Sequence, residues 1–177
     1  MSASRQRLSH LPRLAGATLI SLLAFAGLTT TTAQSAPAQP EAPQVAAWRV
    51  ECSGDGKMLE CRAIQQVFQR ENRQLLVSLA VKPAADGKSG AMIVQLPLGL
   101  NLTEPITFKV DNGAPEKQPI QTCTNVGCFV AVTLNDKLLA AMRAGTELKV
   151  GMQDASKKPV EIGLPLLGFG LAFDKAK

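Results

Sequence analysis

The chain has 177 residues, 46% of them hydrophobic, with 19 lysines and arginines against 14 aspartates and glutamates. A single histidine, His10, and the absence of tyrosine argue against histidine-based catalytic triads and against a stacking platform for bases or sugars. The formal charge of +5 suggests an affinity for polyanions, but its distribution along the chain removes that reading.

Residues 1–33 have the three-part layout of a secretory signal peptide. Arg5, Arg7 and Arg13 stand without an acid, and Leu14 to Leu28 is an uncharged run of fifteen residues. Thr31 and Ala33 are the small residues expected before a peptidase cut between Ala33 and Gln34. A spanning helix needs about 20 apolar residues, so an uncleaved anchor is the weaker reading and no transmembrane segment is expected in the mature chain. Removal of the leader leaves 144 residues carrying 16 basic and 14 acidic side chains. A net +2 over a whole domain is a solvated surface and no footprint for nucleic acid.

Residues 34–47, rich in Ala, Pro and Gln, read as a flexible linker, and 48–177 as a single β-domain. From Trp48 onward the apolar period is two. Trp48, Val50 and Cys52 share one face, as do Leu75, Val77, Leu79 and Val81; Ile106, Phe108 and Val110; Cys128, Val130, Val132 and Leu134; and Leu148, Val150 and Met152. Turn signals separate these runs at 53–57, 85–90, 111–113 and 124–127. The pattern predicts a mainly β fold, an antiparallel sandwich or barrel-like domain. One short amphipathic helix is expected at about 135–144, capped by Asn135 and closed near Gly145. The apolar stretch 164–173 reads as a final buried strand. Its competing reading is an exposed docking edge through Leu167, Phe169 and Phe173.

Four cysteines, Cys52, Cys61, Cys123 and Cys128, allow three disulfide connectivities, and sequence alone cannot choose among them. Local turn chemistry favours Cys52–Cys61 across Ser-Gly-Asp-Gly-Lys, and Cys123–Cys128 across Asn125 and Gly127. A zinc site fits less well, because an eight-residue gap exceeds the usual ligand spacing. A redox pair lacks the Cys-x-x-Cys arrangement. No metal and no cofactor are expected.

Loss of His10 with the leader removes every Ser–His or Cys–His pair. Ser35, Ser53, Ser78, Ser89 and Ser156 lie in no nucleophile elbow, and no phosphate-binding loop is present. Aspartates 55, 86, 111, 136, 154 and 174 occupy turn, helix-start or terminal positions, where capping and turn geometry explain them. No catalytic residue is assigned, and no enzyme is expected.

Taken together, Trp48-Arg-Val-Glu-Cys52, Cys61-Arg-Ala-Ile-Gln65, Leu96-Pro-Leu-Gly99-Leu-Asn-Leu102, Cys123 with Gly127-Cys128, and Leu167-Gly168-Phe169 resemble the invasion-associated locus B family of alphaproteobacterial exported proteins. Leu166 departs from the serine that the family often has there. The resemblance implies a disulfide-stapled β-domain of the cell envelope, with host-cell invasion or envelope integrity as its setting and no catalytic residues to carry over. The expected function is that of a periplasmic or surface-associated, non-enzymatic binding or accessory protein. Its partner would be a protein or other envelope component. The alternatives are a small periplasmic hydrolase using paired carboxylates and a purely structural envelope stress protein.

Overall fold

In a computed structural model, residues 44–45, 47–54, 56 and 58–177 are described. The leader, the cut between Ala33 and Gln34 and residues 34–43 of the linker lie outside them. In chain order the elements are β1 (Gln44–Val45), β2 (Arg49–Gly54), β3 (Leu59–Phe68), β4 (Leu75–Pro83), β5 (Gly90–Leu96), β6 (Ile106–Val110), β7 (Glu116–Gln118), β8 (Thr122–Thr124), β9 (Gly127–Leu134), α1 (Asp136–Ala144), β10 (Glu147–Gln153), β11 (Pro159–Pro165) and α2 (Phe169–Lys175).

The strands form two antiparallel sheets and no closed barrel. The larger runs β3-β4-β5-β9-β8, with β1 and β2 both paired along the free edge of β3; the smaller runs β11-β10-β6-β7. Gln44 and Val45, the end of the predicted linker, pair with Phe68 and Val67, so the chain joins the sheet before Trp48.

Alternation decides which face is covered. Val77, Leu79 and Val81 of β4, Met92, Val94 and Leu96 of β5, and Val130, Val132 and Leu134 of β9 are buried. They form one hydrophobic cluster with Ile106, Phe108, Leu148, Val150, Ile162 and Leu164 of the smaller sheet. The helices complete this cluster. Asn135 caps α1, its side chain accepting a hydrogen bond from the Leu138 amide at 2.9 Å, and Leu138, Leu139 and Met142 face inward. Gly145 ends the helix in extended rather than left-handed backbone (φ −78°, ψ 168°).

The segment 164–173 departs from the expected single strand. β11 stops at Pro165, Gly168 turns the chain at φ 88°, and a second helix, α2, follows. Phe169, Ala172, Phe173 and Ala176 are buried, at the i, i+3, i+4, i+7 spacing of a helix face. Phe169 and Phe173 are therefore core residues and offer no docking edge. Leu167, 91% exposed, is the one residue of that trio that faces solvent.

Three distant parts of the chain meet at the end of β11. The Pro165 carbonyl accepts hydrogen bonds from Trp48 Nε1 at 3.0 Å and from Gln65 Nε2 at 2.9 Å. Gln65 is only 1% exposed, and its Oε1 has no hydrogen-bond partner.

Candidate functional site

Because β3, β4, β5 and β9 put every second residue into the core, their intervening residues share the outer face of the larger sheet. Register aligns them in rows. Ile64 stands opposite Ala80, Ala80 opposite Ile93, and Ile93 opposite Ala131. In the next row Gln66 faces Ser78, Ser78 faces Gln95, and Gln95 faces Phe129. This face carries a shallow hollow of about 420 Å³. Its apolar floor includes Ile64, Ala80, Ile93 and Phe129. Ile93 is 42% exposed, a large aliphatic side chain that the core does not use.

A charged rim flanks the floor. Arg49 Nε reaches Glu51 at 2.8 Å and Lys82 Nζ reaches Glu60 at 2.8 Å. The hydrogen bond from Lys82 holds the Glu60 carboxyl below its ordinary pKa, with its charge and that of Arg62 adding to the effect. Gln95 Nε2 donates to the Val126 carbonyl at 2.8 Å, tying the floor to the β8–β9 hairpin.

Both disulfides border this sheet. Cys52 is bonded to Cys61, its register partner across β2 and β3, and Cys123 to Cys128, its partner across β8 and β9. Thr124 pairs with Gly127, leaving Asn125 and Val126 as a two-residue turn. Gly127 has φ 144°, and a Cβ there would lie 2.5 Å from the Leu96 carbonyl oxygen. Only glycine fits that close approach. Each bridge thus joins an edge strand to its inner neighbour.

Among the described residues, Asp86, Asp111, Asp154 and Asp174 are each held by their own partners and share no site. Asp86 accepts from the Lys88 and Ser89 amides, which lowers its pKa. Asp111, at φ 47°, accepts from the Thr146 hydroxyl and the Thr146 and Glu147 amides, with the same effect. Asp154 accepts from the Ser156 and Lys158 amides. Asp174 lies between Arg143 Nη2 at 2.6 Å and Lys177 Nζ at 2.8 Å, and these two hydrogen bonds push its carboxyl far below the usual range. The same ion pair raises the Arg143 pKa. Arg143 and Lys177 also lie over the Phe173 ring, at 5.0 and 5.7 Å. The cluster fastens α2 to α1.

Glu60, Asp86, Asp111 and Asp174 all have lowered pKa values in the folded protein. Such groups stabilise the fold above the unfolded carboxyl pKa of about 4 and lose that contribution as pH falls toward their folded values. The melting temperature is therefore expected to decline below about pH 4. Asp174→Asn should be less stable at neutral pH and should show a shallower acid decline. Parallel pH curves for parent and variant would remove Asp174 from the account.

Among the described residues no group of three or more His, Cys, Asp or Glu is placed to hold a metal, and no helix is long and apolar enough to cross a membrane.

Comparison with known proteins places this arrangement. The family model described as Invasion associated locus B (IalB) protein matches residues 48–177. The chain belongs to the invasion-associated locus B family. An invasion protein B homolog of Brucella abortus is 28% identical over 129 residues, covering 72% of this chain and 74% of that one. Invasion protein B of Bartonella bacilliformis is 28% identical over 111 residues, covering 62% and 58%. The crystal structure of invasion associated protein B from Bartonella henselae superposes with a TM-score of 0.65 at 27% identity, covering 73% of this chain and 89% of that one. The outer-face row of an invasion-associated locus B chain was not read from its sequence. Ile64, Ala80, Ile93 and Phe129 come from four strands, and only the pairing order brings them together.

Proposed function

We propose that this invasion-associated locus B chain is an exported, non-enzymatic binding or accessory protein of the cell envelope. In this reading residues 1–33 are the cleaved leader, 34–43 the tether, and the outer face of the larger sheet is the binding surface. One observation carries the proposal: Ile93 is 42% exposed on the face turned away from the core, with the half-buried Ala80 and Phe129 and the buried Ile64 around it, where a solvated sheet would be polar. The edge disulfides support it by holding that face's flanking hairpins in register. The downward-shifted, turn-bound carboxylates favour a binding role over the paired-carboxylate hydrolase, which needs an acid with a raised pKa.

Photo-cross-linking in living cells tests the reading. A photoreactive residue at position 93 is expected to give a discrete adduct with an envelope component, one that Ala80→Arg in the neighbouring strand abolishes. The same probe at Glu161, on the smaller sheet, should not give it. No adduct from position 93, or the same adducts from both positions, would rule out this face as the binding surface.

A further inference from the structure

We propose that the hollow on the outer face takes the acyl chain of a free fatty acid, with Arg62 as the counter-ion of its carboxylate. The inference rests on the reading of this face as a binding surface and adds the chemistry of its ligand.

Shape gives the first half of the argument. Ala80 lies between the bulkier Ile64 and Ile93 in register, so the floor dips at β4 within the hollow. The apolar lining extends from Ile64 on β3 to Phe129 on β9, three strand-to-strand steps or about 14 Å. That extent and the volume of about 420 Å³ suit a single alkyl chain better than a folded partner, which needs a broader contact.

Charge gives the second half. Glu51 is neutralised by Arg49 and Glu60 by Lys82, each at 2.8 Å. Arg62, opposite Glu51 in register, lies on the same face of β3 as Ile64, two residues away. It is exposed and lines the hollow. Among the described residues its guanidinium makes no hydrogen bond or close ion pair, and its charge acts on Glu60 only as a weaker addition to that of Lys82. Counting Arg49, which borders the hollow without lining it, Arg49, Arg62 and Lys82 outnumber Glu51 and Glu60 by one positive charge on this face. A guanidinium presents two parallel N–H groups to a carboxylate, so the favoured ligand is apolar along its length and anionic at one end. Neither a cationic amphiphile nor a neutral alcohol of equal chain length satisfies both.

Calorimetric titration of the purified protein with dodecanoate, below its micelle concentration, is the test. One equivalent is expected to bind. Arg62→Gln should weaken binding by about tenfold or more, the loss of one charge-assisted interaction, and Ile93→Glu should abolish it. Both positions face solvent, so unchanged melting temperatures would show that the variants fold. Dodecyltrimethylammonium, with the same chain and the opposite head, should not bind. Absence of dodecanoate binding, equal binding by Arg62→Gln, equal binding of the cationic amphiphile, or binding only to phosphatidylglycerol vesicles would each overturn the proposal. If dodecanoate fails while position 93 still cross-links an envelope component, the acyl ligand is wrong and the binding face stands; if both fail, both fall.

Discussion

Phe169→Ala is expected to destabilise the protein by about 3–5 kcal/mol, the usual cost of deleting a buried aromatic ring. A domain of this size has about 5–15 kcal/mol in total, so the variant should melt far below the parent or fail to accumulate. The size of the effect follows from what the ring touches. Phe169 is fully buried, with the Trp48 ring 5.0 Å from its centroid and the Phe173 ring at 5.8 Å. It is also the first residue of α2, a seven-residue helix too short to form without tertiary support. Losing the ring removes the anchor of the helix as well as its own contacts. Leu167→Ser, two residues away and 91% exposed, should change stability by less than about 0.5 kcal/mol. Urea denaturation of the two variants measures both effects. A Phe169→Ala protein as stable as the parent would mean that α2 is not part of the core, and would restore the docking-edge reading of this segment.

Removing the disulfides should give the next largest effect. Cys52→Ala with Cys61→Ala is expected to lower stability by about 3 kcal/mol, and Cys123→Ala with Cys128→Ala by about 2 kcal/mol, since the second closes the shorter loop. The consequences differ in kind as well as size. Of the residues of β2 only Val50 is shielded from solvent, so without its bridge this strand is held mainly by its ladder to β3. Hydrogen exchange should quicken first at Arg49–Gly54 while the inner strands stay protected. Cys128 is 2% exposed, so its replacement also leaves a small void and should be felt as a lower global melting temperature. Uniform exchange across both sheets in the first variant would show that β2 is held by something other than the bridge.

How much of this was legible in the sequence depends on how local each feature is. Val77, Leu79 and Val81, or Leu148, Val150 and Met152, alternate within a single window, and the core face of β4 and β10 could be read directly from them. The two-residue turn at Asn125 and Val126 is equally local. The stripe of α2 was present as well, in Phe169, Ala172, Phe173 and Ala176. Its length and its glycines, Gly168 and Gly170, masked it as the tail of an apolar strand. Gln65 occupies a core-facing position in β3 that periodicity assigns to an apolar residue, and only the distant Pro165 carbonyl explains why a polar one fits. The outer-face row could not have been read at all. It needs β5 to pair with β9 across three intervening strands, a choice made by packing and recorded in no short stretch of the chain.

The Pro165 carbonyl joins Trp48 to the end of the chain across 117 residues, and Gln65 to it across 100. Contacts this remote in sequence are the last to be closed and make folding slow. The first strands cannot reach their final surroundings until the last strand has been made. β2 to β5 pair with their neighbours in sequence, whereas the lock at the Pro165 carbonyl closes only once that residue has been made. The register of the first strands against the last is therefore the part of the fold that depends on the whole of residues 48–165 being present.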